Sequence, residues 1–197
     1  DRLTSAGVTV PIIHVWPGLS DRSFESSYGN WLHRRLCLSA ETPLLLGLDP
    51  TDSEPNYKLL VDALCRIEET PHLALVADTN ISHTQLATLV ARRRRGHQIH
   101  ILEPQSKALR PHLLADSSVA ISVATTAEPR WLLEAAALGI PALTLRLQNS
   151  ARYVLNRRTG IVVVPTETAV VRGLRQLLHR PALRHRYGQA AKERSNH

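Results

Sequence analysis

The sequence predicts an α/β protein: a doubly wound, six-stranded parallel sheet followed by a C-terminal helix. Three observations carry this. Six short apolar runs, at 44–48, 73–77, 99–102, 119–123, 142–145 and 161–164, are bounded by Pro, Gly, Asp or Glu. Runs so short and so uniformly apolar suit parallel strands covered on both faces. Segments with helical periodicity separate them, and such alternation makes a parallel sheet with helices on both sides. Finally, residues 119–145 hold one complete strand–helix–strand unit with its punctuation in place.

In chain order, residues 8–15 are strand-like, with Pro11 arguing for an edge. Residues 16–24 are rich in turn formers, and 28–36 suit a short helix. After the strand at 44–48, Leu59, Leu60, Ala63, Leu64 and Ile67 form one apolar helical stripe. After 73–77, Leu86, Leu89 and Val90 form a second. Arg92-Arg-Arg-Arg95 then reads as a solvated helix end, where cations favour the C-terminal dipole. Within 119–145, Pro129 suits a first helical turn and Gly139 a left-handed residue that closes the helix. Pro141 stops the helix from resuming. Val170, Val171, Leu174, Leu177 and Leu178 form the last stripe, and a helix over 182–194 has no strand after it.

Composition bounds the function. The 197 residues carry a net charge of +7, and among 24 basic residues only Lys58, Lys107 and Lys192 are lysines. A basic balance favours anionic partners such as nucleotide diphosphates, acidic membrane surfaces or nucleic acid. Aromatic residues are 4% of the chain and do not interleave the arginine run, which argues against nucleic acid. Cys37 and Cys65 lack metal-like spacing and read as buried free thiols. No apolar run approaches the roughly 18 residues of a spanning helix. The chain starts at Asp1 and contains no methionine, so it is expected to be a piece of something longer.

One segment resembles a known family. Leu132-Leu-Glu134-Ala-Ala-Ala-Leu-Gly139-Ile-Pro141 resembles the "LLEAMAxGxPV" segment of retaining GT-B-fold glycosyltransferases of the "glycosyl transferases group 1" type. Further matches run from about residue 12 to residue 194. Pro17, Gly18 and Phe24 fit the crossover between the two halves of those enzymes. Arg180-Pro-Ala-Leu-Arg184-His-Arg-Tyr-Gly188 fits their C-terminal helix. The resemblance implies a Rossmann-like, donor-binding C-terminal half at 25–197, with 1–24 the end of a missing N-terminal half and its linker.

The resemblance also implies a site at the carboxyl ends of the strands, where open α/β sheets and helix N-termini receive phosphorylated ligands. Glu134 matches the second glutamate of an E-x7-E pair, which holds the ribose; the bland alternative is an i,i+4 pair with Arg130. The first glutamate is replaced by Thr126. Thr126, Ala127 and Glu128 occupy the turn expected at the sugar and diphosphate, where Glu128 also suits a solvated first-turn acid. Leu102, Glu103 and Pro104 stand where backbone groups meet the base. Asn149 and Ser150 replace a glycine-rich phosphate loop and alternatively cap the helix starting near 151. The two cations that neutralise the diphosphate in the family are absent: Leu48 and Pro55 take their places, with Lys58 a few residues late.

These matches imply a domain that binds a nucleotide sugar and needs no metal. A membrane surface or acidic acceptor stands as a further candidate partner, and the cytoplasm, with or without membrane association, as the location. The alternative is a catalytically degenerate domain that serves as a binding or scaffolding module. The catalytic residues stay unassigned.

Overall fold

The computed structural model describes residues 30–48, 54–68, 71–76, 80–103, 105, 109–123, 129–146 and 150–195. The expected edge strand at 8–15, the crossover and its Trp16 lie outside the described residues. The elements are α1 (Trp31–Arg35), β1 (Leu44–Gly47), α2 (Glu54–Cys65), β2 (His72–Val76), α3 (Asn80–Ala91), β3 (Ile99–Leu102) and α4 (Arg110–Ala115). There follow β4 (Val119–Ser122), α5 (Trp131–Ala137), β5 (Ala142–Leu145), α6 (Ser150–Tyr153), β6 (Gly160–Val163), α7 (Glu167–Leu178) and α8 (Pro181–Ser195).

All six strands pair in parallel, in the order β3-β2-β1-β4-β5-β6. Every residue of β1, β4 and β5 is buried, as a strand covered on both faces requires. Alternate side chains sort into two cores. Leu45, Leu73, Leu75, Ile121, Leu143 and Ile161 face α2, α3 and α7. Leu44, Leu46, Ala74, Ala120 and Ala142 face α1, α4 and α5, and the three alanines leave room for Trp131 and Leu132. The doubly wound sheet with helices on both sides is therefore present, as is the closing helix.

α8 packs across this second layer. Pro181 starts it, where a missing N–H costs nothing. Its Gly188 meets the α5–β5 turn so closely that a Cβ there would stand 1.9 Å from the Gly139 carbonyl oxygen. Gly139 itself has φ 74°, the left-handed closure expected of it. Near the other end of α8, Arg194 donates to the carbonyls of Tyr153 (3.1 Å) and Arg152 (2.8 Å), the last acceptors of α6.

Several expectations shift. β2 starts one residue early because the His72 N–H bonds the Pro43 carbonyl at 2.9 Å. β6 starts at Gly160 and stops before Val164, which is 43% exposed past the end of the ladder. α1 covers 31–35 of the expected 28–36, and its Trp31 is half-buried under the Arg35 guanidinium at 5.6 Å rather than marking an open patch. α5 starts at Trp131 rather than Pro129, because the carbonyls of Pro129 and Arg130 accept i+3 bonds (both 2.9 Å) in a tight turn ahead of it.

Two corrections concern composition. The cysteines are free but not buried: Cys37 is exposed at a left-handed position (φ 54°) that closes α1, and Cys65 is half-buried at the end of α2. The arginine run is a solvated helix end only in part: it follows the helix, with Arg92 and Arg94 exposed and Arg93 and Arg95 turned inward. α3 stops at Ala91, and the chain turns back toward β3, carrying Arg93 to Asp62 (2.6 Å) and Arg95 to the Ile67 carbonyl. Burial would raise the Asp62 pKa, but the Lys58 and Arg93 hydrogen bonds outweigh it and hold the carboxyl below its ordinary value.

Candidate nucleotide-sugar site

The strand order reverses between β1 and β4, and open α/β sheets take their ligands at the carboxyl ends of the strands on either side of such a reversal. β1 ends at Gly47 with Leu48 half-buried beyond it, so the position where the family places an arginine packs as an apolar side chain. Asn56, on the first turns of α2, reaches across and donates from Nδ2 to the Val123 carbonyl at 2.9 Å. That bond ties the start of α2 to the end of β4. Lys58 points elsewhere: it is exposed and pairs with Asp62 along α2 at 2.7 Å.

Glu134 sits in the first turn of α5, on the helix that follows β4. Helical side chains lean toward the N-terminus, which carries its carboxylate to the strand-end side of the domain. The partner it finds is not Arg130. Arg110, the first residue of α4, donates from Nη1 to Glu134 Oε1 at 2.8 Å. The two side chains are 28% and 23% exposed, so the pair is sheltered without being desolvated. The bridge thus joins α4, the helix after β3, to α5, the helix after β4.

β3 ends at Leu102, half-buried against the same core as Trp131. Glu103 is exposed, and its carbonyl accepts from Gln105 Nε2 at 2.8 Å. The backbone acceptor expected to meet a base thus has a side-chain amide on it already. Ser150 is the first residue of α6, one residue before the expected start. Thr126, Ala127, Glu128, Pro104 and Asn149 lie outside the described residues. The structure therefore places Glu134 at the start of the helix after β4, and Leu102 and Glu103 at the end of β3, which β2 and β1 separate from β4. Downstream, Thr159 is buried and its Oγ1 accepts from the Leu155 N–H at 2.8 Å, which folds the turn into β6.

Sequence reasoning missed Arg110 and Asn56. Arg110 did leave a signal: it opens a helix that has no acid in its first turn, where the dipole disfavours a cation. A cation at such a place points to a specific acceptor. Among the described residues no group of three or more His, Cys, Asp or Glu is placed to hold a metal ion, and no helix is long and apolar enough to cross a membrane.

The model of the family described as glycosyl transferases group 1 matches residues 39–194. The chain belongs to that family. No curated protein matches the sequence. Among solved structures, this group 1 domain is similar to a glycosyltransferase from Rickettsia africae, at 17% identity and a TM-score of 0.78, over 91% of this chain and 50% of that one. It is similar to Anabaena HepE in complex with UDP-glucose, at 15% identity and a TM-score of 0.79, over 91% and 51%. It also matches the C-terminal domain of a glycosyl transferase group 1 family protein from Francisella tularensis, at 13% identity and a TM-score of 0.69, over 89% and 95%. The chain thus spans about half the length of the longer structures and nearly all of an isolated C-terminal domain. The fold is that of the C-terminal half of GT-B glycosyltransferases.

Proposed function

We propose that the chain is the donor-binding half of a retaining glycosyltransferase, which takes a sugar from a nucleoside diphosphate and passes it to an acceptor. The observation that carries this is Glu134: an acid in the first turn of the helix after β4, in a chain whose family model spans 39–194. Its carboxylate has two oxygens and so can accept from both hydroxyls of a ribose cis-diol. The base lies against Leu102, Glu103 and Pro104, its N–H competing with Gln105 for the Glu103 carbonyl. Sugar and diphosphate lie at Thr126, Ala127 and Glu128, with Asn149 and Ser150 as further donors. The UDP-glucose held by the Anabaena neighbour supports this ligand class. No metal is needed for such a site.

A second reading, a binding or scaffolding module that has lost catalysis, is favoured by one observation. Leu48 packs as an apolar side chain where a diphosphate-neutralising cation stands in the family. Calorimetry with uridine, adenosine, guanosine and cytidine diphosphates separates the readings. Weak binding of one of them, abolished by Glu134→Ala, supports the donor site. No heat for any of them favours the scaffolding module.

A further inference from the structure

The geometry points to Arg110 as a positioning residue of the nucleotide site, acting through Glu134. It holds the carboxylate by one oxygen, leaves the other for the ribose, and cancels the acid's charge so that an anionic diphosphate can sit beside it. The inference rests on the proposed donor site and deepens it.

Three features of the structure lead here. First, the contact is single and directed: Arg110 Nη1 meets Glu134 Oε1 at 2.8 Å, and among the described residues no other group contacts Glu134 Oε2. A carboxylate has two oxygens and about four lone-pair sites, so one guanidinium contact fixes the group without exhausting it. Second, the pair joins two different helices. Arg110 starts α4 after β3, and Glu134 lies in the first turn of α5 after β4. A surface i,i+4 pair on one helix would stabilise that helix alone; this one fixes the acid relative to α4. Third, the charge balance at the strand ends favours it. The family's two cations are replaced by Leu48 and Pro55, and Lys58 is taken up by Asp62. A bare Glu134 would then face the diphosphate with no positive charge from those positions to offset it, and like charges in a sheltered site repel strongly. Paired with Arg110, the acid is a dipole that still accepts from a hydroxyl.

The role separates binding of ribose from tolerance of phosphate, and the test reads that separation. The 197-residue chain and its Arg110→Gln variant are titrated with the uridine, adenosine, guanosine and cytidine series, each as nucleoside, monophosphate and diphosphate. Arg110→Gln should weaken the diphosphate by about 10- to 100-fold, the size of the repulsion between an unpaired carboxylate and phosphates several ångströms away. It should weaken the nucleoside far less. The diphosphate loss should shrink at high ionic strength, because it is a repulsion. The double variant Arg110→Gln/Glu134→Gln should recover diphosphate affinity relative to Arg110→Gln, since the repelling charge is gone. Equal losses for nucleoside and diphosphate would reduce Arg110 to a structural tie and overturn the inference. An unchanged or tighter diphosphate affinity in Arg110→Gln would also overturn it, while leaving the donor site standing if Glu134→Ala abolishes binding. Failure of the unaltered chain to bind any member of the four series removes the donor site and this inference together.

Discussion

His72, on β2, and His100, on β3, meet Nδ1 to Nε2 at 2.8 Å with their rings stacked at 5.1 Å and 15°. Such a bond needs a proton on one nitrogen and none on the other, so the two rings cannot both be charged. Burial, then the charges of His97 and His33, pushes the His72 pKa below its ordinary value; burial, then His72 itself, does the same for His100. In the unfolded chain both rings take protons near the ordinary value of 6.5. Below that pH the unfolded state binds more protons than the folded one, so stability is full above it and falls as pH drops through the lower folded values. Thermal melts across about pH 7.5 to 5 should show the midpoint falling with acidity, and His100→Gln should flatten the slope. An unchanged slope in that variant would mean the titrating groups lie elsewhere. Neither the pair nor the Arg110–Glu134 bridge could be read from the sequence, because each joins elements 24 or more residues apart. What could be read was the position of Glu134, at the start of a helix closed by Gly139; its partner could not be.

Elements carry a different lesson, seen in the two glycines that join α5 to α8. Gly139 was legible because its role is conformational: a helix followed by Pro141 needs a left-handed closing residue, and φ is 74°. Gly188 has no such conformational need. It lies mid-helix, where glycine costs about 0.5–1 kcal/mol relative to alanine. The reason for it is steric, since a Cβ would stand 1.9 Å from the Gly139 carbonyl and 2.9 Å from its carbon, both backbone atoms that cannot rotate away. Gly188→Ala should therefore destabilise the domain by about 1–3 kcal/mol despite its better helix propensity, through displacement of α8 from α5. Chemical denaturation would show it as a lowered midpoint with the slope retained; a midpoint at or above that of the unaltered chain would mean α8 is not seated there. The strand boundaries were legible to within a residue because buried parallel strands are marked by continuous apolar runs. Helix starts were less so, because Pro129 fits both a first helical turn and the tight turn that precedes α5.

At the scale of the whole molecule, the proposed function asks of this sheet only half of what sugar transfer needs. The chain spans about half the length of the Rickettsia and Anabaena structures it matches. The resemblance to GT-B enzymes places the reaction in a cleft between two such halves, with the acceptor on the other one. The proposed donor site, at the carboxyl ends of β1 and β4, would hold a nucleotide by ribose and base contacts made within this half. Departure of the diphosphate is a separate demand. It needs positive charge positioned where negative charge develops, and Leu48 and Pro55 occupy the two positions that supply it in the family. Removing one such preorganised contact costs on the order of 100- to 1,000-fold in rate. The two demands therefore come apart in this chain: it should bind a nucleoside diphosphate sugar weakly and release no nucleoside diphosphate from it, with or without a sugar acceptor. A coupled assay for released nucleoside diphosphate, run beside calorimetry on the same sample, checks both at once. Release well above the spontaneous rate would show that cations other than those at 48 and 55 complete the site. In that event Arg130 and Arg152, both exposed at the starts of the helices after β4 and β5, are the residues to replace first.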